Sequence, residues 1–125
     1  MLRSMIFVPG DSEKKLAKAM DFGADGIVID LEDSVVPKRK ALAREMSRDY
    51  LKSVVNEATE IWVRINPLDS LEVLQDLAVI VPMAPAGVVI PKPDSPMDIE
   101  RVSNFIDILE VEHDLEEGCV GILPV

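Results

Sequence analysis

Five short apolar runs set at regular intervals constrain this chain more than any other feature. Met5–Val8, Ile27–Ile29, Ile61–Ile65 and Val88–Ile90 are nearly unbroken stretches of β-branched and other apolar residues, and a fifth opens at Val120-Gly121-Ile122-Leu123. A strand with one wet face alternates apolar and polar residues; these runs do not. They read as parallel strands covered on both faces. The intervals carry apolar stripes at helical spacing: Leu16, Ala19 and Met20; Leu42, Met46, Leu51, Val54 and Val55; Leu71, Leu74, Leu77 and Ala78; Ile99, Val102, Ile106 and Leu109. The order is therefore βαβαβαβαβ, an α/β protein with a parallel sheet.

The punctuation fits that order. Asp-Ser occurs at 11–12, 33–34, 69–70 and 94–95, each time after one of the first four strands and before a helix. Short side-chain oxygens there are suited to accept from the free amides of a first helical turn, so all four pairs are expected to cap. Pro37 and Pro96 sit near helix starts, and Gly23 suits a left-handed helix end.

Two architectures share this pattern: an open doubly wound sheet, and part of a (β/α)8 barrel. With 125 residues and five strands the chain cannot close a barrel, which takes about eight strands at the usual tilt. On the barrel reading it is roughly the first half, one partial domain over residues 1–125 with no second domain. The inward face would then carry Ile6, Val8, Val28, Trp62, Val88 and Ile90.

Charge and composition narrow the function classes. Thirteen basic against twenty-three acidic residues leave a net charge of −10, unsuited to a nucleic-acid backbone. The most apolar stretch, Leu77 to Pro91, is broken by Pro82, Pro85 and Gly87, so no membrane span is expected. Met1-Leu2-Arg3-Ser4 runs straight into a strand without a leader-like segment. One cysteine cannot form an internal disulfide, which suits a reducing, cytoplasmic setting.

The chemistry gathers where strands end. The second run ends in Asp30-Leu31-Glu32-Asp33, the third in Arg64-Ile65-Asn66, the fourth in Pro91-Lys92 and the first in Pro9-Gly10-Asp11. Parallel α/β folds build their sites at the C-terminal ends of strands. Alternation puts Val28, Asp30 and Glu32 on one face of the second strand, Trp62, Arg64 and Asn66 on one face of the third, and Val88, Ile90 and Lys92 on one face of the fourth. If those faces point inward, two acids, an arginine, an amide and a lysine meet at one mouth. An arginine there can hold a carboxylate in two parallel hydrogen bonds. The acids can balance it or hold waters around a divalent cation. Bland roles compete: Glu32 and Asp33 as helix caps, Arg64 as a structural ion-pair partner, Asp30 as a support, Lys92 as a solvated surface residue and Trp62 as core. Arg3 reads as structural, His113 as a solvated helix end and Cys119 as a buried thiol.

The segments Arg3-Ser4-Met5-Ile6-Phe7-Val8-Pro9-Gly10, Asp30-Leu31-Glu32-Asp33-Ser34-Val35, Arg64-Ile65-Asn66 and Pro91-Lys92 resemble, in order and spacing, the citrate lyase β-subunit-like family of the HpcH/HpaI aldolases. The resemblance implies a (β/α)8 barrel, assembled as a homo-oligomer, usually a trimer. It implies Mg²⁺ at the C-terminal mouth and cleavage or formation of a carbon–carbon bond in citryl- or malyl-type CoA thioesters or small oxo acids. Arg64, with Lys92, would bind the substrate carboxylate, and Glu32 and Asp33 would be the catalytic acids near the metal and its waters. The family's two metal-binding carboxylates would fall beyond Val125, so no metal ligand is expected within the chain. The competing expectations are an inactive barrel fragment serving as an assembly or small-ligand-binding piece, and an open-sheet ligand-binding domain.

Overall fold

The computed structural model describes residues 4–55 and 57–125; Arg3 lies outside them. Five strands form one sheet: β1 (Met5–Pro9), β2 (Gly26–Asp30), β3 (Glu60–Arg64), β4 (Gly87–Ile90) and β5 (Gly121–Pro124). They stand in sequential order and every pair is parallel. Four α-helices connect them: α1 (Glu13–Lys18), α2 (Lys40–Ser53), α3 (Val73–Ile80) and α4 (Pro96–Glu112). Sequential order without a switch is the strand order of a barrel wall rather than of a doubly wound sheet.

All the helices pack on one face. Val8, Ile27, Ile29, Ile61 and Val63 bury against Leu16, Ala43 and Leu51; Val88 and Ile90 bury against Leu77, Val102 and Ile106. Among the described residues the other face carries no helix. Its register forms two rows across the sheet: Phe7, Val28, Trp62, Gly87 and Gly121, then Pro9, Asp30, Arg64, Val89 and Leu123.

This register corrects the inward set. Val28 and Trp62 lie on the open face, but Ile6, Val8, Val88 and Ile90 belong to the helix face. Parity within a strand groups alternate residues without saying which group faces the helices. Arg64 pairs with Val89 rather than with Val88 or Ile90. The open face is also drier than the uncovered strands imply, since Val28 and Val89 are each only 1% exposed. The Trp62 ring lies across the neighbouring strands, and an added Cβ at Gly87 would stand 2.2 Å from its Cζ3.

The Asp-Ser pairs diverge. Ser12 caps α1 by accepting from the Lys15 amide at 3.2 Å, and Ser70 accepts from the Glu72 amide in the turn before α3. Ser95 stands at the start of α4 without a side-chain cap. Ser34 donates to the Asp30 carboxylate at 2.7 Å and lies two residues before Val36, which holds the N-cap position of the next helical turn. Gly23 takes the left-handed conformation, φ 67°. His113 ends α4 and is exposed. Cys119 is exposed rather than buried, because it lies in the turn before β5 and only Val120 points into the core. No described helix is long and apolar enough to cross a membrane.

Candidate functional site

The β2 terminus is organised around one carboxylate. Asp30, 2% exposed, accepts from the Glu32 amide at 2.8 Å, the Ser34 amide at 3.0 Å and the Ser34 hydroxyl. From the next strand Arg64 donates two parallel bonds, Nε to Oδ1 at 2.9 Å and Nη2 to Oδ2 at 2.8 Å. Burial pushes this carboxyl upward, but the Arg64 guanidinium and the amide and hydroxyl donors outweigh it and hold the value at about 2. Asp30 is thus a fixed anion that shapes the turn carrying Glu32 and Asp33.

Arg64 is also flanked. Its Cζ stands 4.9 Å from the centre of the Phe7 ring, a cation–π contact, and Glu32 Oε1 lies 3.5 Å from its Nε. Burial, followed by the charge of Asp33, raises the Glu32 carboxyl above its ordinary value; Arg64 opposes this and Asp30 adds to it. A carboxyl raised in this way is suited to exchange a proton with a bound molecule. Lys40, the first residue of α2, donates 2.9 Å bonds to the Leu31 and Glu32 carbonyls and so fixes the turn from below.

The expected residues therefore gather at one end of the sheet, around two neighbouring hollows rather than one pocket. Arg64, Asp30, Asp33, Phe7 and Lys15 line an open hollow of about 500 Å³. Glu32 and Lys92, with Leu68, Asp98 and Arg101, line a cleft of about 380 Å³. Lys92 reaches the cleft by leaving the sheet: β4 ends at Ile90, and Lys92 takes a left-handed φ of 43°. Its strand parity is therefore irrelevant to its place. Asn66 does not join the mouth. Its amide and side chain both donate to Asp76 Oδ2, at 2.9 and 2.8 Å, beneath the β3–α3 loop.

That contact belongs to a buried network absent from the sequence reading. Arg44 on α2 donates to Asp76 at 3.0 Å and Gln75 at 3.3 Å, and it also bonds Glu72. The signal was present: Arg44 shares the buried stripe of Ala43, Ser47 and Leu51, and Asp76 that of Val73, Leu77 and Ile80. Charged residues on such stripes announce a buried pair. Lys15 was also missed, although its place in the first turn after the Ser12 cap sets it at the mouth.

The model of the HpcH/HpaI aldolase/citrate lyase family matches residues 3–123. The chain belongs to this family. It is 34% identical over 121 residues to the citrate lyase subunit beta of Escherichia coli, spanning 97% of this chain and 40% of that one. It is 33% identical over 104 residues to a (3S)-malyl-CoA thioesterase of Cereibacter sphaeroides, spanning 83% of this chain and 36% of that one. Among solved structures, a citrate lyase beta subunit from M. tuberculosis complexed with oxaloacetate and magnesium matches 78% of this chain and 42% of its own, with TM-score 0.67 and 30% identity. A Haloferax volcanii malate synthase magnesium/glyoxylate complex matches 99% of this chain and 42% of its own, with TM-score 0.86; at 23% identity it speaks for the fold alone. The chain thus spans about two-fifths of the length of these family members, and the fold is the first half of their barrel.

Magnesium accompanies several of these structures. The described residues do not offer an ion a site of their own, since no three of their acidic, histidine or cysteine side chains are placed to ligate one. Asp30 is saturated by donors, and Glu32 stands beside Arg64.

Proposed function

We propose that this chain forms the carboxylate-receiving wall of a Mg²⁺-dependent carbon–carbon lyase that acts on citryl- or malyl-type CoA thioesters or small oxo acids. The observation that carries this reading is Arg64. It sits at the C-terminal end of the sheet, is fixed by Asp30, is partly exposed and lies beside a carboxyl whose proton affinity is raised. In this reading Arg64 binds and orients the substrate carboxylate. Lys92 contributes a second positive charge across the cleft. Glu32 holds or accepts a proton near the reacting carbon, and Asp33, exposed beside it, orients water. The metal would be held by carboxylates that the family resemblance places after Val125.

Asp30 and Asp33 balance Arg64 and Lys15 around the open hollow, and Glu32 adds a carboxyl beside Arg64 from the neighbouring cleft. In keeping with the family, the whole assembly is a cytoplasmic homo-oligomer, a trimer, without nucleic-acid or membrane partners, and residues 1–125 form one partial barrel domain.

A second reading, in which the chain binds a small carboxylate without turning it over, rests on the Arg64 fork that borders the open hollow. A lyase assay separates the two. The chain is assayed alone and also in place of the matched segment of the E. coli subunit, with malyl- and citryl-CoA and Mg²⁺. Turnover by the chimaera that falls at least a hundredfold with Arg64→Lys supports the lyase reading. Pyruvate binding by the chain, with an active chimaera indifferent to Arg64→Lys, supports the second.

A further inference from the structure

We propose that Asp30 is a positioning residue that presents Arg64 to a ligand carboxylate through one end of the guanidinium only, the end formed by Nη1 and the outer hydrogen of Nη2. This deepens the reading that Arg64 receives a carboxylate, and it rests on it.

A guanidinium has five N–H donors and two forked edges that can each match a carboxylate. Asp30 occupies one whole edge, taking Nε at 2.9 Å and Nη2 at 2.8 Å. Glu32 stands on that same edge, 3.5 Å from Nε, and the Phe7 ring covers one face of the plane. Among the described residues nothing accepts from Nη1, and the Arg64 side chain keeps 19% of its surface exposed. The free fork is therefore single, planar and reachable.

Exchange of the ligand for Asp30 is opposed by the rest of that residue's bonds. Displacing its carboxylate would also strip the part-buried Glu32 amide, Ser34 amide and Ser34 hydroxyl of their acceptor. The ligand must arrive in the guanidinium plane at the Nη1–Nη2 end, next to the edge that Asp30 fills. That geometry suits an anion that presents two oxygens in one plane, such as the terminal carboxylate of a small oxo acid.

The test reads the side-chain nitrogens of Arg64 by ¹⁵N–¹H NMR while the intact chain is titrated with pyruvate, and with inorganic phosphate as the contrasting anion. The expected result is a saturable shift of the Nη1 protons with pyruvate, a response to phosphate confined to the same end, and an Nε–H resonance that stays put. In Asp30→Asn the Nε–H should lose its bonded shift and respond to pyruvate together with Nη1. A wild-type Nε–H that moves as far as Nη1 would overturn the proposal, because the ligand would then be displacing Asp30. A folded Asp30→Asn chain that keeps the Nη1-only response would also overturn it, leaving Asp30 a merely structural partner. If Asp30→Asn does not fold, Ser34→Ala keeps the carboxylate but removes one of its anchors. Partial response of Nε–H supports the proposal there, and an unchanged pattern overturns it. No movement of any Arg64 resonance at saturating pyruvate would sink the parent reading instead.

Discussion

Two arginines in this chain make the same bond for different ends. Arg44, between α2 and α3, has all three of its nitrogens engaged, by Asp76, Gln75 and Glu72, and its side chain is 5% exposed. Arg64, at the open face, gives one edge to Asp30 and keeps Nη1 without a partner among the described residues. A saturated arginine ties elements together, here α2, α3 and, through Asp76 and Asn66, the end of β3. An arginine with a spare fork can also receive something. An Arg–Asp pair alone therefore does not distinguish a structural site from a functional one. The count of unfilled donors does.

The strongest way to break this comparison is to remove Arg44. Arg44→Met leaves Asp76 buried without its cation, and breaking one side of a buried pair costs about 3–5 kcal/mol. Arg64→Met should cost clearly less, because the Arg64 side chain borders solvent, at 19% exposed against 5% for Arg44. Urea unfolding of the two variants measures both. Equal losses would show that Arg64 is as structural as Arg44 and would weaken its candidacy as a receptor.

Acid provides the second test. A carboxyl held at about 2 in the folded chain, against an ordinary 3.8, stabilises by about 2 kcal/mol above pH 4. The folded value is depressed, so this stability is present above the unfolded value and is lost as pH falls from about 4 to 2. Asp76 behaves in the opposite sense: burial raises it despite Asn66 and Arg44, so it adds nothing to stability gained with rising pH. Denaturant midpoints between pH 2 and 6 should fall steeply at the acid end, and Asp30→Asn should flatten most of that slope. A slope unchanged by Asp30→Asn would assign acid sensitivity to other carboxyls.

The contrast between the two arginines also marks what could be read from residues alone. The sheet was legible, because unbroken apolar runs at even spacing admit few arrangements, and the structure returned five parallel strands in sequence order. The polar strand ends were legible as well, since Asp30 and Arg64 each close an apolar run. Face assignment was not. Nothing in the spacing of Val88 and Ile90 tells which side α4 will cover, and the register against Arg64 settles it. Nor does strand parity survive past a strand's end, which is why Asn66 turned beneath the loop to Asp76 and Lys92 turned to the cleft. Arg44 and Asp76 could have been found by asking which charges fall on buried helical stripes. The Asp-Ser pairs at 33–34 and 94–95 misled for a related reason: the dipeptide does not fix where the first helical turn opens, and after Ser34 it opens two residues later, at Val36, while Ser95 stands at the N-cap without a side-chain bond.

The smallest effect sharpens the Arg64 side of the comparison through that same serine. Ser34 is exposed, yet its hydroxyl donates to Asp30 Oδ2 at 2.7 Å, on the oxygen that also holds Arg64 Nη2. Ser34→Ala removes this donor and leaves four, so the stability loss near neutral pH should be about 1 kcal/mol. The loss should shrink toward zero at pH 2, where Asp30 is becoming protonated in the folded chain and the bond no longer reports on its charge. Ser95→Ala is the control: Ser95 occupies the same dipeptide but makes no capping bond, and its removal should leave the denaturant midpoint unmoved. If Ser34→Ala and Ser95→Ala behave alike, the hydroxyl contributes nothing to holding Asp30. The fixed orientation of Arg64 would then rest on the Glu32 and Ser34 amides alone, an arrangement that side-chain substitution in this turn could not loosen.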